Sequence, residues 1–318
     1  MSDVIIIGAG PAGISAALYR IRSGLENTVI AAGDSALAKA EKIENYYGFA
    51  EPISGKELLT RGIDGAERLG VKFTNKQAVS IDYEDGGFSV VTSDDKKHRC
   101  KAVLLATGSR RLAPNIDGLT EFEGKGVSYC AVCDAFFYRS KNVGVLGSGE
   151  YALHEAKILA KTSKSVTVFT NGEEPTAVFP SEFTIVKEPL STLTGEAKIE
   201  KAVLRDGTEV KIDGLFVAYG VASSAALAQK AGAVTIGGKI RVNDSMMTNV
   251  NGLFAAGDCT GGLLQVSKAV GDGAAAGMAI IKYVKREKIE SPKLSDIKKR
   301  PLAVGFKPAV KGRSFFIF

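Results

Sequence analysis

The sequence predicts an α/β protein made of two strand–turn–helix–strand units, one set inside the other. Three observations carry that prediction. "DVIIIGAGPAGISAALYRIRSGLENTVIAAGD" (3–34) reads as an apolar strand, a glycine turn, a helix and a second strand. "KNVGVLGSGEYALHEAKILAKTSKSVTVF" (141–169) repeats that pattern, and "VNGLFAAGD" (250–258) returns to a strand ending in Gly-Asp before a long helical stretch at 263–285. A glycine turn directly after a strand and directly before a helix is the signature of a dinucleotide-binding unit. The expected fold class is therefore α/β, with two Rossmann-like, three-layer dinucleotide-binding domains, the second inserted in the first.

In chain order, the first unit is a strand at Val4–Ile7, the turn at Gly8, a helix from Pro11 to about Ser23, and a parallel strand within "ENTVIAAGD". Residues 71–106 read as short strands, with a hairpin at "YEDGGF" and a buried strand in "AVLLATG". The repeated unit and "DGLFVAYG" (213–220) form the insert, with crossings near 110–115 and 235–240. These limits give a first domain of 1–111 and 239–288, an insert of 112–238, and a tail of 289–318.

In the first turn, Gly8 permits the tight bend, Gly10 lets a pyrophosphate approach the backbone, and Gly13 lets the helix pack on the strand. Pro11 and Ala12 open a helix whose free N–H groups favour phosphate. Asp34, near the end of the second strand, is either a ribose ligand or an ordinary loop aspartate. At the other end Gly257 presents Asp258 where the ribityl hydroxyls of FAD would lie, with helix capping as the alternative. Gln265 is expected in the first turn of the helix that follows.

Cys130 and Cys133 are separated by two residues, which permits a disulfide. Half of a zinc site is the competing reading. Zinc would need further ligands, and neither His98 nor His154 stands at ligand spacing, so no metal is expected. Asp134 is either a general acid/base for thiol exchange or a plain surface aspartate. Cys100 and Cys259 read as buried small hydrophobes.

Composition bounds the class. With 318 residues, 45% hydrophobic and 24% charged, the chain is of ordinary globular type. No apolar run reaches the roughly 18 residues of a membrane helix. The early glycine turn leaves no room for a signal peptide, so a cytoplasmic protein without a membrane partner is expected. The formal charge of +6 is concentrated in residues 282–318, whose local charge is +8. No nucleic-acid motif accompanies this basic segment, and no nucleic-acid partner is expected. Its Phe306, Phe315, Phe316 and Phe318 suggest a tail folded over the flavin region or into another groove.

With these residues in place, the chain resembles the low-molecular-weight thioredoxin reductases over nearly all of residues 1–288. The stretches that carry the resemblance are "GAGPAG", "EKIENYYGF", "ATG" (106–108), "CAVCDAFFYR", "LFVAYG" and "NGLFAAGD". It implies FAD, a homodimer, and a disulfide passed to thioredoxin or a similar protein. It adds Asn45, Thr107, Gly108 and Val266 to the cofactor residues. It places Cys133 nearest the flavin, gives Cys130 the attack on the partner, and makes Asp134 the acid.

The departures matter as much. Members that use NADPH carry basic residues at the end of the insert's second strand, which clamp the 2′-phosphate. Here Thr170, Asn171 and Gly172 stand there, Glu150 adds negative charge at the second glycine turn, and the insert looks shorter. In this the chain is similar to the nicotinamide-independent branch, the ferredoxin-dependent flavin thioredoxin reductases. That branch implies a ferredoxin-like donor giving one electron at a time. An NADPH enzyme with an atypical clamp and a flavoprotein redox sensor remain the alternatives.

Overall fold

The computed structural model describes residues 2–33, 35–84, 86–108, 114–220 and 222–290, with side chains as far as 286. Strand β1 (Val4–Ile7) is buried at all four positions, as a central parallel strand must be. Helix α1 (Pro11–Ile21) starts on a proline, whose missing N–H costs nothing in the first turn. After β2 (Asn27–Ile30) comes α2 (Gly55–Arg68), whose start is fixed by Ser54 Oγ accepting from Glu57 N at 3.1 Å. The sequence reading names no helix there. Its two internal glycines weaken the helical signal, yet Gly62 is where α2 comes close to Ile14 of α1.

Next come β3 (Lys72–Thr74), the antiparallel β4 (Ala78–Glu84), β5 (Gly87–Thr92) and β6 (Lys97–Cys100), and β7 (Ala102–Leu105). The expected hairpin joins β4 to β5, with Glu84 opposite Gly87. The insert holds β8 (Val127–Ser128), α3 (Ala131–Asp134), β9 (Asn142–Leu146), α4 (Glu150–Ala160), β10 (Ser165–Phe169) and β11 (Thr184–Val186). An antiparallel group follows, β12 (Leu190–Thr194), β13 (Lys201–Leu204) and β14 (Glu209–Lys211), then β15 (Gly214–Val217) and α5 (Ser224–Lys230). A small hairpin, β16 (Thr235–Ile236) and β17 (Lys239–Ile240), leads to β18 (Leu253–Ala255) and α6 (Val266–Glu290).

Two parallel sheets organise these elements, in the orders β18-β7-β1-β2-β3 and β11-β10-β9-β15-β8. Every strand of the second lies between β7 and β18 in the chain, so the second dinucleotide-binding fold is inserted in the first. Each parallel sheet has a three-stranded antiparallel companion, β4-β5-β6 and β12-β13-β14. One hydrophobic core joins the two folds. Ile81 and Val90 of the first pack in the same cluster as Leu153, Ala156 and Leu227 of the second.

The long helix begins at Val266 rather than 263, because Gly261 and Gly262 hold positive φ and Gln265 N bonds back to Leu263 O. Gln265 thus precedes the helix. The expectations for Asp34, for a crossing at 111/112 and for a tail over the flavin fall on residues 34, 109–113 and 291–318, outside the described residues. No helix among the described residues is long and apolar enough to cross a membrane.

Candidate active site

At the carboxyl ends of β1, β2 and β7 lies a cavity of about 560 Å³, within the roughly 300–1,000 Å³ of cofactor pockets. The first turn shapes it by close approach. A Cβ on Gly8 would lie 2.4 Å from Ala106 O, and one on Gly13 would lie 1.9 Å from Gly8 O. Backbone fills those two positions, whereas Gly10 opens on the cavity. Gly10 caps α1 with no side-chain acceptor, which leaves the helix N-terminus and its positive potential to a ligand.

Gly8, Gly10, Pro11, Ala12, Thr107, Gly108, Gly257, Asp258, Gln265 and Val266 all line the cavity. Gly13 lies behind it. Asn45 is not part of the wall, but its Nδ2 donates to Gln265 Oε1 at 3.0 Å and so ties the 41–53 loop to the start of α6. Asp258 is partly buried, and among the described residues no donor bonds its carboxylate. A free acceptor beside a glycine-lined phosphate cradle fits the ribityl and pyrophosphate groups of FAD.

The turn bearing Asp258 is held by residues that sequence reasoning missed. Lys268 Nζ donates to Gly257 O (3.2 Å), Thr260 Oγ1 (3.0 Å) and Gly261 O (2.7 Å), and pairs with Asp272 at 2.7 Å. Asp272 in turn accepts from Gly257 N at 3.1 Å. The i,i+4 spacing of Lys268 and Asp272 was the available signal.

Cys130 and Cys133 form a disulfide with Cα atoms 5.3 Å apart. Cys130 caps the short α3, its Sγ accepting from Cys133 N at 3.2 Å. Cys130 is 4% exposed, while Cys133 is open to solvent. Ser128 links the pair to the acid. Its Oγ accepts from Cys130 N at 3.1 Å and donates to Asp134 Oδ2 at 2.7 Å. Tyr138 stands nearby, its phenol pushed upward by burial first and then by Asp134.

The disulfide turn does not line the cavity. It packs on α5, whose cap residue Ser223 does, and Thr107 Oγ1 meets Ser224 Oγ of that helix at 2.6 Å. A buried ion pair braces the arrangement. Glu155 Oε2 accepts from Ala131 N at 2.8 Å, and Glu155 Oε1 meets Lys230 Nζ at 2.5 Å, with both side chains 1% exposed. Lys230 also donates to Val79 O at 3.0 Å and lies 4.9 Å from the centre of the Tyr151 ring.

The other two thiols are inert by burial, as expected of small core residues. Cys100 is pushed up to about 12 and Cys259 to about 11, in each case chiefly by desolvation.

At the second glycine turn, Gly147 has φ +151° and a Cβ there would lie 2.2 Å from Ala218 O. The end of β10 offers no cation. Thr170 is fully buried, and Asn171 turns its Oδ1 to Leu190 N at 2.9 Å.

Comparison with known proteins agrees with this architecture. The pattern describing the pyridine nucleotide-disulphide oxidoreductases matches residues 2–273. The thioredoxin reductase of Aquifex aeolicus (strain VF5) is 33% identical over 304 residues, 90% of this chain and 94% of that protein. Among solved structures, an atypical thioredoxin reductase from Desulfovibrio vulgaris Hildenborough is 38% identical with a TM-score of 0.85, covering 90% of this chain and 99% of that one. A ferredoxin-flavin thioredoxin reductase from Clostridium acetobutylicum is 32% identical with a TM-score of 0.69, covering 91% and 98%.

Proposed function

The chain belongs to the pyridine nucleotide-disulphide oxidoreductase family and, within it, to the FAD-binding thioredoxin reductases, and we propose that it takes its electrons from a reduced ferredoxin-like protein rather than from NADPH. The observation that carries this reading is the end of β10. Thr170 is buried, Asn171 turns its side-chain oxygen to Leu190 N, and Gly172 follows, so no cationic side chain stands there to clamp a 2′-phosphate. The similarity to a ferredoxin-flavin enzyme supports the same donor.

FAD, when bound, supplies the step between a one-electron donor and a two-electron disulfide. The chain's own groups do the rest. Two electrons and two protons open the Cys130–Cys133 disulfide to two thiols. The Cys130 thiolate then attacks the disulfide of thioredoxin or a similar protein, one substrate sulfur leaves as a thiol, and Cys133 resolves the mixed disulfide. Asp134, held by Ser128 Oγ, is the proton carrier beside the two sulfurs. Cys130 is the buried sulfur of the oxidised pair, so its role requires the α3 turn to shift before a partner reaches it. The reading includes a homodimer in a reducing, cytoplasmic compartment, on the strength of the family resemblance; light scattering on the purified protein tests the dimer.

The decisive experiment is an anaerobic titration of the FAD-loaded protein with NADPH, NADH and reduced ferredoxin. Bleaching of the flavin absorbance by ferredoxin alone is the expected result. Rapid stoichiometric bleaching by NADPH would make the protein an NADPH-dependent thioredoxin reductase with an atypical clamp.

A further inference from the structure

The inserted domain keeps the fold of a dinucleotide site, and its crevice is crossed by one of its own side chains. In an open parallel sheet the ligand lies outside the carboxyl ends of the strands, where the strand order reverses. In the second sheet that place is the end of β9, between β10 and β15. Glu173, four residues past the end of β10, reaches across it. Its Oε2 accepts from Ser148 Oγ at 2.6 Å, and Ser148 is the middle residue of the Gly147–Gly149 turn. Its Oε1 accepts from the hydroxyl of Tyr219, two residues past the end of β15. A single carboxylate thus connects the ends of all three strands.

The loop behind it is tied to the same turn, with Thr176 N donating to Ser148 O at 2.8 Å and Ala177 N to the same oxygen at 3.3 Å.

We propose that Glu173 is a specificity-determining residue. Its carboxylate stands at the mouth of the second dinucleotide crevice, clasped by Ser148 and Tyr219, and excludes the pyrophosphate of pyridine nucleotides. The argument is one of charge and partners. A pyrophosphate arriving at the α4 N-terminus meets a fixed negative charge, and Glu150 at the first helical position adds another. The hydroxyl of Ser148 is already committed. Tyr219 is held protonated, pushed up to about 12 by burial and by Glu173, so it remains a donor to that carboxylate through neutral pH. This inference rests on the nicotinamide-independent reading above and gives it a mechanism of exclusion beyond the missing cations.

The test is calorimetric titration of the FAD-loaded protein, and of its Glu173→Ala and Glu173→Gln variants, with ADP and with NADH. The unmodified protein should give no binding heat at millimolar nucleotide. Glu173→Ala and Glu173→Gln should each gain at least about tenfold in ADP affinity, since like-charge juxtaposition is what suppresses the ligand. Tyr219→Phe removes a donor but leaves the charge in place and should give no comparable gain; either Glu173 variant alone serves if the other fails to fold. Glu173 variants that fold, retain FAD and bind ADP no better than the parent would overturn the role of Glu173 alone. Micromolar nucleotide binding together with flavin bleaching by the unmodified protein would overturn the donor assignment as well.

Discussion

Asp258 is an acceptor-only side chain pointed at a cavity, and the residues around it explain why it stays there. Lys268 and Asp272 fix the turn below it, while its own oxygens are left to a ligand. Asp258→Ala should therefore leave the fold intact and weaken FAD retention by about 1.5–3 kcal/mol, the worth of a charge-assisted hydrogen bond. Flavin lost on dilution and gel filtration measures it; undiminished retention would remove Asp258 from the site. The two sulfurs should behave unequally. Cys130→Ser should leave Cys133 as a free thiolate and produce a long-wavelength absorption band against oxidised flavin, and Cys133→Ser should not. A band in the opposite variant would reverse their roles.

Among the elements, α4 and α5 brace the disulfide turn through a pair that no sequence pattern announces. Glu155 and Lys230 are 75 residues apart, and each alone reads as a surface charge on an amphipathic helix. Burial makes the pair sensitive. Lys230→Met leaves the Glu155 carboxylate unpaired and should cost about 3–5 kcal/mol of stability, and restoring a neutral partner with Glu155→Gln in the same chain should recover part of it. Urea denaturation of the single and double variants checks this. An additive double variant would mean that the pair is not coupled. Because Glu155 also accepts from Ala131 N, the single variant should alter the thiol–disulfide equilibrium of Cys130–Cys133 as well.

For the whole molecule, His154 ties stability to pH. Its imidazole is pulled down to about 4, first by burial and then by Lys230, with Lys157 and Lys161 adding to the shift and Asp95 opposing it. A depressed folded value means that the unfolded chain binds the proton more readily. The stabilisation is complete above about 6.5 and is lost as pH falls toward 4, a loss of about 2–3 kcal/mol from this group. His154→Gln should flatten that part of the profile in urea melts at pH 7 and pH 4.5, and an unchanged slope would assign the acid sensitivity to other groups.

The sequence by itself determined the doubled strand–glycine–helix units, the adjacent cysteine pair with its aspartate, and the absence of basic residues at 170–172. Each is local: a glycine turn needs its glycines, and a short disulfide loop needs both cysteines within a turn of one another. Only the tertiary structure decided that Ser128 bonds Asp134, that Glu155 meets Lys230 inside a core shared by two folds, that Lys268 fastens the Asp258 turn, and that Glu173 spans the second crevice. Glu173 meets its partners because parallel strands distant in sequence end side by side, Glu155 meets Lys230 across two helices, and the Ser128 and Lys268 contacts depend on how their own turns fold. Hydrophobic periodicity sets which face of an element is buried, but not which polar side chains meet at the ends of neighbouring strands.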